Sequence, residues 1–304
     1  MYPQTNAARS VRDLSGVWDF RFNANDPWQP IAVPASYNDQ SPDPEFRRHY
    51  GMAYYRTRFT VPEGARRVLR FDAVTHNAVV RLNGEEIATH RGGFLPFEAD
   101  ITALAQTVTL EVEVDNRIGH STLPVGNEGG TAFFGSDNAG IPAVEAGKAR
   151  QQMQGVNLPN FDFFNYAGIT RPVHLYTTPA AYIADITLVP TIDGTLDYKI
   201  NTVGDGLASI KILNDEGKVV ADGKGESGTL HVEAPHLWQP RPGTPYLYTA
   251  LVKFGQDEYR QQFGFRSVEV RGHQFLINGE PFYFKGPCKH EDSAFRGRGY
   301  DACV

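Results

Sequence analysis

Cysteine is nearly absent from this chain. Only Cys288 and Cys303 occur among 304 residues, so no disulfide framework builds the fold. Long apolar runs are missing too: none approaches the roughly 18 residues of a membrane span. Basic clusters are absent, and the net charge of −6 with a pI near 5.9 argues against a nucleic-acid partner. The nine histidines show neither His-x-x-x-His nor Cys-x-x-Cys spacing, which argues against a zinc site. Gly-x-Ser-x-Gly and Gly-x-x-x-x-Gly-Lys are missing as well, so neither the usual serine-hydrolase elbow nor a phosphate loop is encoded. No cofactor is implied. The first ten residues lack an apolar signal core, and there is no Asn-x-Ser/Thr acceptor. Those two absences point to a cytoplasmic protein, or to a secreted one whose signal has been removed.

Convincing amphipathic helices of ten or more residues are also lacking, and what replaces them is period-two alternation. In Val108-Thr-Leu-Glu-Val-Glu-Val-Asp115 apolar and polar residues alternate without a break, as in a half-buried strand. Leu14–Phe22 and Tyr54–Val61 read as further strands, with Trp18 as a core anchor. Asn83-Gly84 between two strand-like arms is a strong hairpin signal. An antiparallel sandwich follows for residues 1–180. After the Thr177-Thr-Pro-Ala180 break, roughly seven short strands in about ninety residues give an immunoglobulin-like pattern over 181–272, without its cysteine pair. That domain shows no chemistry and reads as a spacer. Phe275-Leu-Ile-Asn-Gly-Glu280 is another Asn-Gly hairpin, opening residues 273–304.

Two segments do not look like scaffold. Ile31–Asp39 ends a strand in polar turn chemistry. Residues 119–159 are long, Gly-rich and aperiodic, and lead directly into Asn160-Phe-Asp-Phe-Phe-Asn-Tyr166. Long loops of this kind tend to border functional sites. The stretch they lead into gathers Phe161, Phe163, Phe164 and Tyr166 around the single carboxylate of Asp162, with a hinge at Gly168. Rings for the apolar faces of a sugar and an acceptor for its hydroxyls would make a sugar-binding rim. The same residues also fit a hydrophobic corner carrying a solvated aspartate.

Val33-Pro-Ala-Ser-Tyr-Asn-Asp39, Phe71–His76, Gly92–Asp100 and Asp162–Ile169 resemble the corresponding motifs of β-glucuronidases in glycoside hydrolase family 2. That family also holds β-galactosidases and β-mannosidases. The resemblance runs in order from about Leu14 to the C-terminus. It implies a sugar-binding jelly roll, an immunoglobulin-like sandwich, and then the first strand of a (β/α)₈ catalytic barrel. Such a barrel needs about 250 residues, whereas 25 follow Gly279. Retention requires two carboxyl groups about 5–5.5 Å apart. In the family these are glutamates on later barrel strands, one of them in an Asn-Glu-Pro motif that this chain lacks. Glu85-Glu86 and Glu291-Asp292 cannot substitute, because neighbours in extended chain face opposite ways.

The resemblance therefore implies the non-catalytic N-terminal portion of a glucuronide-hydrolysing enzyme, inactive alone. Its partners would be a glucuronide substrate and the rest of the barrel, in the same or a separate chain, with self-association into a homo-oligomer such as a homotetramer. Asp162 matches the aspartate that hydrogen-bonds sugar hydroxyls, and His290 matches the histidine of the first barrel strand that borders the sugar. Asn165 and Tyr166 are expected to hold the loop. Cys288 and Cys303 read as buried thiols of the barrel's first strand and helix. A β-galactosidase is the neighbouring alternative. A free-standing carbohydrate-binding or structural module is the alternative of another class, but it would leave an unpaired strand edge.

Overall fold

In the computed structural model the alternating stretches all become ladder strands. The structure describes residues 1–104, 106–123, 125, 156–157, 164–288 and 291–300. Asp162, His290 and Cys303 lie outside the described residues, as does most of 119–159. The chain divides into two units, neither continuous in sequence. One comprises Arg12–Glu63, Arg67–Tyr176 and the stretch after Cys288. The other comprises Met1–Val11, Gly64–Arg66 and Thr177–Cys288.

The first unit is a jelly-roll sandwich. Its strands are β1 (Ser10–Asp13), β2 (Gly16–Arg21), β3 (Gln29–Val33), β4 (Met52–Thr60), β5 (Arg66–Phe71) and β6 (Val74–Thr75). They continue as β7 (Asn77–Leu82), β8 (Glu85–Arg91), β9 (Phe97–Asp100), β10 (Thr107–Asp115), β11 (Gly168–Ile169) and β12 (Val173–Thr178). One sheet runs β3-β2-β4-β10-β7-β8 and the other β1-β12-β5-β9, with β11 paired to β6. Alternation decides what each sheet buries: Val108, Leu110, Val112 and Val114 of β10 all point into the core. Trp18 joins them there, and its indole N–H donates to the Leu14 carbonyl at 2.9 Å. A buried Trp needs such a partner. At the hairpin, Asn83 and Gly84 take φ of 51° and 85°, the turn chemistry that Asn-Gly predicts.

The one α-helix among the described residues of this unit, α1 (Pro44–Arg48), is five residues long. It starts where Asp43 accepts from the Glu45 N–H, with proline at its first position, where no N–H is missed. Phe46 turns inward and Arg47 is left at the rim.

The second unit holds a seven-stranded sandwich: β13 (Tyr182–Pro190), β14 (Thr195–Val203), β15 (Ala208–Leu213), β16 (Val219–Lys224), β17 (Ser227–His231), β18 (Tyr248–Phe254) and β19 (Asp257–Phe263). Its sheets are β13-β14-β17 and β16-β15-β18-β19, and Leu196, Ile200, Ile210, Ile212, Val252 and Phe254 fill the space between them. The Trp238 N–H donates to the Phe265 carbonyl at 2.8 Å and closes the sandwich.

A small sheet follows, of β20 (Val268–Arg271), β21 (Gln274–Ile277) and β22 (Glu280–Pro281), with Asn278-Gly279 as its turn. Beyond it residues 282–288 form no ladder, and Tyr283 and Phe284 are exposed. Cys288 is accordingly an exposed free thiol rather than the buried one expected, because the stretch that carries it packs into no strand layer.

Candidate functional site

The aromatic motif enters the described residues at Phe164, and from there a buried polar layer fixes every residue to Ile169. Asn165 is 5 % exposed. Its amide donates to the Asn116 carbonyl at 3.0 Å, and its side-chain oxygen is 2.6 Å from His76 Nε2. The Asn157 amide donates to the Asn165 backbone carbonyl at 2.9 Å. Asn116 in turn bridges the Gly51 N–H and the His49 carbonyl, both at 2.7 Å. Asn165 therefore holds the loop, as its motif implied. Burial lowers the pKa of His76, so the ring is neutral and donates from Nε2 to the asparagine oxygen.

The Ser36-Tyr37-Asn38 turn belongs to the same framework. Asn38 accepts the Ala167 N–H at 2.9 Å and donates to the Phe46 carbonyl at 2.9 Å. Ser36 and Asn38 are fully enclosed, so this turn, which had not looked like scaffold, serves as the brace beneath the motif. Gly168 is obligatory here. Its φ is +126°, and an added Cβ would lie 2.6 Å from the Tyr55 hydroxyl and 3.1 Å from the Ala35 carbonyl.

Arg47 joins the motif to the far end of the chain. Its guanidinium lies 3.7 Å from the Phe164 ring centre and bonds to Asp39 and, at 3.3 Å, to the Tyr166 hydroxyl. Burial opposes its charge, but these two partners raise its pKa on balance. Tyr166 packs edge-on against Phe164 and donates onward to Asp292 at 3.3 Å. Burial raises the Tyr166 pKa, so the hydroxyl keeps the proton it donates.

Residues 291–300 lie against the same surface. The Ser36 N–H donates to the Arg296 carbonyl at 2.8 Å, the Arg296 guanidinium donates to the Pro34 carbonyl at 3.1 Å, and the Tyr300 N–H donates to the Thr170 carbonyl at 2.7 Å. The approach is close enough that a Cβ on Gly299 would meet the Ala35 Cα at 2.4 Å.

Among the described residues, several carboxylates of this unit are engaged in ion pairs. Glu86 and Glu113 share Arg81, and Asp19 pairs with Arg56. Glu85 and Glu86 head strand β8, both exposed. What the described residues offer is a braced surface.

Residues 11–179 match the glycosyl hydrolases family 2 sugar binding domain, 181–266 match glycosyl hydrolases family 2, and 268–303 match the TIM barrel domain of the same family. The chain belongs to glycosyl hydrolase family 2. This family 2 chain is 53% identical to a Faecalibacterium prausnitzii β-glucuronidase of known structure, with a TM-score of 0.91 over 100% of this chain and 54% of that one. A Bifidobacterium dentium β-glucuronidase, solved with coumarin-3-O-glucuronide, is 48% identical with a TM-score of 0.88 over 99% of this chain and 55% of that one. The Paenibacillus borealis β-glucuronidase is 39% identical over 335 residues, covering all of this chain and 53% of the relative. The family 2 chain thus spans about half the length of these relatives, and its barrel match is confined to 268–303.

Arg47, Asp39, His76 and Asp292 received no role in the sequence reading. Asp43-Pro-Glu was the available signal for Arg47: a capping aspartate and a first-turn proline announce a helix that presents one residue to the rim.

Proposed function

We propose that this chain is the N-terminal portion of a retaining β-glucuronidase that releases D-glucuronate from glucuronide conjugates. It supplies the scaffold and a sugar-binding aspartate, Asp162, with His290 bordering the same sugar. The nucleophile and acid/base glutamates reside in the remainder of the barrel, in this or a separate chain, about 5–5.5 Å apart as retention requires. One observation carries the reading: Tyr166, four residues after Asp162, bonds Asp292, two residues after His290. The two chain segments that hold the candidate sugar ligands thus meet on one braced surface. The identity to β-glucuronidases over the whole chain supports the substrate class.

Asp162→Ala in the complete enzyme tests this. Loss of a charged hydrogen bond to a sugar hydroxyl, worth about 1.5–3 kcal/mol, lowers kcat/KM about ten- to a hundredfold, with the melting temperature unchanged. Unaltered turnover with a lowered melting temperature would make Asp162 structural instead.

A further inference from the structure

We propose that Arg47 is a positioning residue for sugar binding, acting through a relay that runs Asp39–Arg47–Tyr166–Asp292. The proposal rests on the glycosidase reading and adds to it a residue that touches no substrate.

Each link has its own observation. Asp39 anchors the guanidinium. One face of that plane covers Phe164 at 3.7 Å, while its edge donates to the Tyr166 hydroxyl at 3.3 Å. Only a planar, forked cation stacks and donates sideways at once, so lysine is no substitute. Tyr166 accepts from Arg47 and donates its own hydroxyl hydrogen bond to Asp292 at 3.3 Å.

The ends of the relay matter because of what precedes them in the chain. Asp162 is two residues before Phe164, and His290 two before Asp292. In sequence, then, both candidate sugar ligands adjoin groups that the relay fixes. The 291–300 segment is docked independently, through Ser36, Pro34 and Thr170. Breaking the relay therefore leaves the segment in place and loosens the orientation of its leading turn.

Hydrogen exchange on the 304-residue chain reads this without any activity. Tyr166→Phe keeps the ring and removes the hydroxyl. It should raise exchange at the Ser293 and Gly297 amides about three- to tenfold, the range of one typical hydrogen bond, while Tyr300 stays protected. In the complete glycosidase, Arg47→Lys and Tyr166→Phe should each raise KM by a similar factor, with kcat and melting temperature little changed. The double variant should lose no more than the worse single one, because both break the same relay. Unchanged exchange in Tyr166→Phe, or kinetic losses that multiply in the double variant, would overturn the proposal. If the wild type cleaves a galactoside and no glucuronide, the substrate assignment falls while the relay is read on the galactoside. If glucuronide turnover is normal in both single variants, the relay falls and the assignment stands.

Discussion

His76 is enclosed, neutral and bonded through Nε2 to Asn165. Its pKa is lowered chiefly by burial, and so is that of His49, which stacks on Phe22 at 4.1 Å. In the unfolded chain both histidines titrate near 6.5. Below that pH the unfolded state binds protons that the folded state refuses, so stability is full above about pH 6.5 and declines as the pH falls. Unfolding midpoints taken from pH 8 to 5 should show this decline. His76→Asn should lower stability at pH 7 yet flatten the slope below 6.5, leaving the part due to His49. An unchanged slope would mean that His76 is protonated in the folded state. At this scale Trp18 and Asn165 were legible, the first from its place in an alternating strand and the second from its motif. His76 was not, since nothing local tells a buried, asparagine-bonded histidine from a solvated one.

Two glycines separate what a turn needs from what a packed element needs. Gly84 has φ +85° with no atom near an added Cβ, so Gly84→Ala meets only backbone strain, about 1–2 kcal/mol. Gly168 adds a collision with the Tyr55 hydroxyl and the Ala35 carbonyl, and overpacking of that kind costs about 1–3 kcal/mol more. Chemical unfolding of the two variants should rank them in that order. Equal losses would mean that the β11 site relaxes freely. Strands and Asn-Gly hairpins were readable because their period and turn chemistry are local. The five-residue α1 was not, being too short for any periodicity to show. The polar turn at 36–38 did not look like scaffold because its partners, Ala167 and Phe46, are remote or on another element.

For the whole molecule, the order of two sandwiches and a barrel start was legible from strand spacing and motif order. The discontinuity of the units was not. Residues 1–11 pack with the second sandwich: Arg9 forms a two-pronged pair with Asp257 at 2.7 and 2.5 Å, and both side chains are buried. Asp257 also accepts the Ile183 N–H at 2.8 Å. No short-range pattern links positions 248 residues apart. Removing one partner of a buried pair strands the other charge, so Asp257→Ala should cost about 3–5 kcal/mol in calorimetry of this chain. Lys253→Ala, which breaks the exposed pair with Glu258, should leave the transition where it is. Equal shifts would show that the Arg9 pair is no staple.

The central claim is that this chain binds the sugar while other residues break the bond. An aryl glucuronide assayed against the 304-residue chain and against the enzyme with a complete barrel tests it most directly. The account predicts no turnover by the first and hydrolysis with retained anomeric configuration by the second. Turnover by the 304-residue chain alone would contradict it.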